Sequence, residues 1–137
     1  MRRLILSTAI LLGACAATPQ EAERTAMAQA DTAAALDREL AGLVPGEPSA
    51  CLPEPLRVQV ASRTYGPTIV YAVSRDVKYR TDTSGGCERA GRGRDVLVTQ
   101  TTLNRSCRGD IARTVDPVTG FQTGACSFGD FVPYRRP

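Results

Sequence analysis

Five cysteines, at positions 15, 51, 87, 107 and 126, are the residues of this chain best equipped for covalent chemistry, and no histidine accompanies them. Cysteine sulfur can be acylated, paired into disulfides or bound to metal. Without histidine, neither a Ser-His-Asp nor a Cys-His unit can be assembled, and zinc sites that use imidazole are excluded. No two cysteines have the CxxC spacing of zinc ribbons, so no metal and no other cofactor is expected. The acid–base candidates are scattered. Asp110, Asp116 and Asp130 are too dispersed for an EF-hand loop. A hydrolase-type site would need folding to bring two distant groups together, for example Asp110 and Tyr134. Lys78, the only lysine, reads as surface charge. The string Gly91-Arg92-Gly93-Arg94-Asp95 begins like a dinucleotide loop but lacks the third glycine and a following helix. The residues therefore point away from an enzyme.

Each cysteine takes its meaning from the element around it, and Cys15 stands apart. Met1-Arg2-Arg3 is a short positive start, Leu4 to Leu12 is apolar except around Ser7 and Thr8, and Gly13-Ala14 are small. That order of charge, apolar run and small residues is the pattern of an export signal. The run is only about half of the ~20 residues a spanning helix needs. Leu12-Gly13-Ala14-Cys15 resembles the lipobox of bacterial lipoproteins. The resemblance implies a signal peptide over 1–14, cleavage after Ala14 and acylation of Cys15, including a palmitate-type chain on its new amino terminus. Several acyl chains on one residue give stable anchoring where one gives only marginal binding. Ala16, where such proteins often carry Asp for inner-membrane retention, implies the outer membrane, facing the periplasm.

Cys51, Cys87, Cys107 and Cys126 then remain. An even number in an exported chain reads as two disulfides, with three pairings open. The preferred pairing is Cys51–Cys126, joining the start and end of the folded region, with Cys87–Cys107 closing a loop across the strand at Val96–Thr101. In the chain-entropy model each closure contributes roughly 3–4 kcal/mol.

Between anchor and staples lies a linker, 15–50, with a helix expected over about 19–42. Thr18 can cap, Pro19 suits the first helical position and Glu21 completes a capping box. The apolar stripe Ala22, Ala26, Ala30, Ala33, Leu36, Leu40, Leu43 has helical spacing, but its alanines bury little. Leu36, Leu40 and Leu43 are the part able to dock, and Gly42 and Pro45-Gly46 stop the helix.

From 51 to 137 the pattern becomes β. Leu56–Val60 alternates, Thr68–Val73 and Val77–Thr81 form a hairpin, and Asp95–Thr101, Ile111–Val115 and Phe121–Phe128 are further strands. The expected fold is mainly β, a small antiparallel barrel or sandwich stapled by two disulfides and preceded by an Ala-rich α-helix.

Charge follows the same division. The whole chain carries +3, too little to argue for nucleic acid. Residues 16–50 hold two basic and six acidic residues, a net of −4, and residues 51–137 hold thirteen and eight, a net of +5. Arg89, Arg92 and Arg94 cluster in one Gly-rich loop. Guanidinium forks match phosphate and carboxylate, so these three are candidates for binding an anionic envelope polymer or ligand.

Cys51-Leu52-Pro53, Tyr79-Arg80-Thr81, Gly85-Gly86-Cys87, Cys107-Arg108-Gly109-Asp110, Gly124-Ala125-Cys126-Ser127-Phe128-Gly129-Asp130-Phe131 and the tail Val132–Pro137 together resemble small four-cysteine lipoproteins of sphingomonad-type alphaproteobacteria. The likeness runs from about Leu40 to Pro137. It implies paired cysteines and a periplasmic setting, and supplies no catalytic residue. The expectation is a non-catalytic structural or binding module of the cell envelope. Its partners would be the membrane, through acylated Cys15, and an anionic polymer or another envelope protein.

Overall fold

A computed structural model describes residues 18–53, 60–93, 95–101 and 104–137. Cys15, the signal segment 1–14, the expected strand at Leu56–Val60 (apart from Val60) and Arg94 lie outside the described residues.

Helix α1 spans Pro19–Leu40. It starts where the sequence places it. The Glu21 amide donates to Thr18 Oγ1, and the Glu21 carboxylate accepts from the Thr18 amide at 2.8 Å, a complete capping box. Those Thr18 bonds, backbone first, hold the Glu21 carboxyl below its usual range. The helix ends at Leu40, two residues short of the expected 42. None of its residues is fully buried, and the half-buried ones (Thr32, Ala35, Leu36, Glu39, Leu40) all fall in its last three turns. No helix among the described residues is long and apolar enough to cross a membrane.

The strands are β1 (Val44–Pro45), β2 (Ala61–Tyr65), β3 (Thr68–Ala72), β4 (Val77–Thr83), β5 (Val96–Gln100), β6 (Ile111–Val115) and β7 (Gln122–Arg135), with a 3-10 turn at Ala90–Arg92. They form one antiparallel sheet in the order β2-β3-β4-β7-β6-β5, with β1 also paired to β7. The sheet is curled into a half-barrel, a mainly β fold stapled by two disulfides as expected. The strands at 68–72, 77–83, 96–100 and 111–115 sit where the sequence puts them, whereas β7 runs seven residues past Phe128.

That extension organises the fold. The first half of β7 pairs with β6 and the second half with β4, while β1 and Ser49 flank its far end. Between Thr81↔Phe131 and Thr83↔Phe128 the register gains one residue on β7, a bulge. Strand side chains alternate, so Phe128 and Phe131 would face opposite ways on a regular strand. The bulge turns both inward, and their rings meet edge-on at 5.8 Å. Gly129 permits it, because a Cβ there would lie 2.5 Å from the Asp82 carbonyl oxygen. The core gathers Leu52, Ile69, Tyr79, Ala112, Phe128, Phe131 and the Cys87–Cys126 pair, with Tyr71, Val77 and Leu97 against it.

The disulfides are Cys51–Cys107 and Cys87–Cys126, which corrects the pairing suggested by spacing. The reason is where the loops run. After β4 the chain doubles back along β7: the Ser84 amide donates to the Ser127 carbonyl, and Gly86 packs on the Ala125 backbone so closely that its Cβ would fall 2.3 Å from that oxygen. This delivers Cys87 to Cys126, which stands opposite Ala112 in mid-sheet. Cys51 is meanwhile held against Cys107 by two flanking bonds, Leu52 N–H to the Ser106 carbonyl and Arg108 N–H to the Ala50 carbonyl.

Candidate functional site

The densest polar cluster joins α1 to the sheet. Arg63 and Tyr65 lie two apart on β2 and so share a face. Across β3, Lys78 on β4 presents the same face, through the pairs Ala61↔Ala72 and Ala72↔Lys78. Glu39, in the last turn of α1, reaches all three. Its carboxylate accepts from Lys78 Nζ at 2.6 Å, from the Tyr65 hydroxyl at 2.9 Å and from Arg63 Nη1 at 3.0 Å, and Lys78 Nζ also donates to the Glu39 carbonyl oxygen. Glu39 thus touches strands on both sides of β3, so the helix end lies across that strand.

Burial works against the Glu39 charge, but the hydrogen bonds from Lys78 and Tyr65 and the Lys78 charge outweigh it and hold the carboxyl below its usual range. Burial, then the hydrogen bond to Glu39, pushes the Tyr65 phenol up, which keeps its proton in place as a donor. The Lys78 and Glu39 side chains are only 14% and 11% exposed, whereas Arg63 is 64% exposed. Lys78 is therefore a tether for the helix rather than the surface charge its sequence setting suggested. Nothing in the helix sequence marks Glu39 as different from Glu21 or Glu23; only the β2–β4 face does.

A second cluster pins the start of β5. The Asp95 carboxylate, buried, accepts from Arg89 Nε at 2.8 Å and from the Thr123 hydroxyl, whose oxygen lies 3.0 Å from Thr114 Oγ1 and can accept from it. Thr123 is the extra residue of a second bulge, between Thr114↔Gly124 and Val115↔Gln122. Of the three candidate anion-binding arginines, Arg89 is thus engaged within the fold. Arg92 lies in the 3-10 turn, and Arg94 is outside the described residues.

The acidic candidates are not brought together. Asp110 accepts from the Cys107 amide in a tight turn, closed by Asp110 N–H to the Cys107 carbonyl. Asp116 accepts from the Val118 and Thr119 amides, and Asp130 pairs with Arg108 at 2.9 Å. Asp110 sits beside Phe128, and Tyr134 lies six positions further along β7, roughly 20 Å at 3.3 Å per residue. Among the described residues no group of three or more Cys, Asp or Glu could hold a metal ion.

A groove of about 1160 Å³ runs between α1 and the β2–β3 turn, bordered by Arg24, Ala28, Thr32, Tyr65, Pro67 and Glu88 among others. Its walls carry both charges and several alanines. No family model, no curated protein and no solved structure matches the chain.

Proposed function

We propose that this is a lipid-anchored protein of the cell envelope, held in the outer membrane by acylated Cys15. Its stapled sheet is a non-catalytic module presented to the periplasm on a helical arm. The observation that carries the reading is the asymmetry of α1. The helix begins four residues after Cys15, leaves its first turns fully exposed, and is fixed at its far end by Glu39. The thirteen exposed residues 19–31, at 1.5 Å each, give a free arm of roughly 20 Å ahead of the docked turns. An element that buries nothing along most of its length adds little to the core. As a spacer it sets the distance between the acylated end and the sheet. The non-catalytic part of the reading is supported by the separate engagement of Asp110, Asp116 and Asp130 in turns and a surface ion pair.

The test is Cys15→Ser in the producing bacterium, followed by fractionation. The variant should move from the membrane pellet to the soluble periplasmic fraction. A variant that stays in the pellet through high-salt washing refutes the anchor.

A further inference from the structure

We propose that β5 is a self-pairing edge, through which two copies of this chain join their sheets antiparallel about a two-fold axis. The two terminal strands of the described sheet differ in treatment. On β2, Arg63 and Tyr65 are tied to Glu39, and Gly91 of the 3-10 turn packs on the Thr64 carbonyl. On β5, no described residue pairs with the outer side. An open strand offers unpaired N–H and C=O groups, and proteins usually blunt such an edge with Lys, Pro or charge. Val96–Gln100 has none of these.

Its surroundings are apolar as well. Val96 (51% exposed), Val98 (46%) and Ile111 (42%) share the outer face of β5 and β6, and Phe121, 74% exposed, follows in the next loop.

A second copy suits this edge for reasons of register and charge. A two-fold axis through Val98, perpendicular to the sheet, pairs all five residues: Val98 with Val98, Leu97 with Thr99 and Val96 with Gln100. Like faces stay together, so Val96 and Val98 of both copies form one continuous strip. The nearest charge on that face is Arg113, opposite Val98 on β6. The two Arg113 side chains would be three strand spacings apart, roughly 14 Å, beyond the screening length of about 10 Å. No charge in the strip opposes self-association. Two five-residue edges bury well under the roughly 1,200 Å² of a stable complex, so the pairing is weak and concentration-dependent.

The experiment uses the full chain carrying Cys15→Ser, so that the odd thiol cannot cross-link copies. Facing Cβ atoms in such a pair stand roughly 5 Å apart, so Val98→Cys should be trapped as a covalent dimer under mild oxidation. The yield should exceed that of Val118→Cys by at least about tenfold, although Val118 is 91% exposed and meets collisions more freely. Sedimentation between about 10 µM and about 1 mM should show a monomer–dimer shift that Val98→Lys abolishes. Val98→Lys touches no core residue, so an unchanged thermal melt confirms that it folds. Equal trapping at both positions, a monomer throughout that range, or a dimer that persists in Val98→Lys overturns the proposal.

Discussion

The junction at Glu39 can be tested as a single interaction. Glu39→Gln keeps the size and one carbonyl acceptor but removes the charge. The Arg63 pair contributes near zero, because Arg63 is largely exposed. The bonds from Lys78 and Tyr65 are half-buried and charge-assisted, a class worth about 1.5–3 kcal/mol. Gln retains part of them, and the Lys78 ammonium keeps the Glu39 carbonyl as acceptor. The net loss is then about 2 kcal/mol, or roughly 30-fold in the docking equilibrium. An isolated Ala-rich helix of this length is marginal in water, so loss of docking appears as fraying. Amide hydrogen exchange at pH 7 should therefore accelerate by that factor at Leu36–Leu40 while Ile69–Thr81 is unchanged. Lys78→Met should produce most of the same effect, and adding Glu39→Gln to it little more. In the unsubstituted chain the carboxyl lies below its unfolded value of about 4.3. Its stabilisation is thus present above that pH and is lost as pH falls through the folded value. Exchange at Leu36–Leu40 should quicken, relative to the core, only below about pH 4. Unchanged rates in Glu39→Gln, or a uniform rise across helix and sheet, refute the reasoning.

Phe131→Ala, which empties a fully buried site between Phe128 and Tyr71, should cost about 3–5 kcal/mol in urea unfolding. Gly129→Ala should destabilise, whereas alanine for glycine inside an ordinary strand would gain roughly 0.5–1 kcal/mol, because its Cβ meets the Asp82 carbonyl and the bulge must shift; a neutral or stabilising result in urea unfolding would mean the bulge does not depend on glycine. The two disulfides close loops of 39 and 56 residues and should contribute similarly, at about 4 kcal/mol each, when removed as Cys→Ser pairs. In the folded protein, mild dithiol should reduce Cys51–Cys107 before Cys87–Cys126, since Cys51 is half-buried and the other pair sits in the core; peptide mapping after thiol labelling reads the order.

What could be read from the sequence was local. The capping box needs only Thr18, Pro19 and Glu21, and Ile111–Val115 declares itself by its own residues. β2 does not: Ala61-Ser62-Arg63-Thr64-Tyr65 lacks an apolar alternation and becomes a strand through its pairing with β3 and the contacts of Arg63 and Tyr65 with Glu39. β7 is hidden for another reason. Gly124, Gly129 and Pro133 look like punctuation, and the bulge breaks the alternation between Phe128 and Phe131. The cysteine pairing depends on β7 as well, because the loop that carries Cys87 is placed by its bonds to Ser127 and Ala125. Of the polar clusters, Lys78 was visible as a lone lysine, but its partner lies 39 residues away on the helix, a separation no spacing rule spans.

The central position of β7 has a consequence for the order in which the chain matures. The β2–β3–β4 meander and the β5–β6 hairpin can each form from neighbouring residues, but among the described strands only β7, the last in sequence, pairs with both. Non-local pairing of this kind, up to Val44 with Arg135, makes for slow closure. Until β7 is paired, Cys126 is not yet held beside Cys87, and Cys87 is free to meet Cys107, 20 residues away. A Cys87–Cys107 bond formed by oxidation before β7 docks would be non-native. It must be reshuffled by thiol–disulfide exchange once β7 carries Cys126 to Cys87, so the yield of native protein is set by how long the thiols stay reduced.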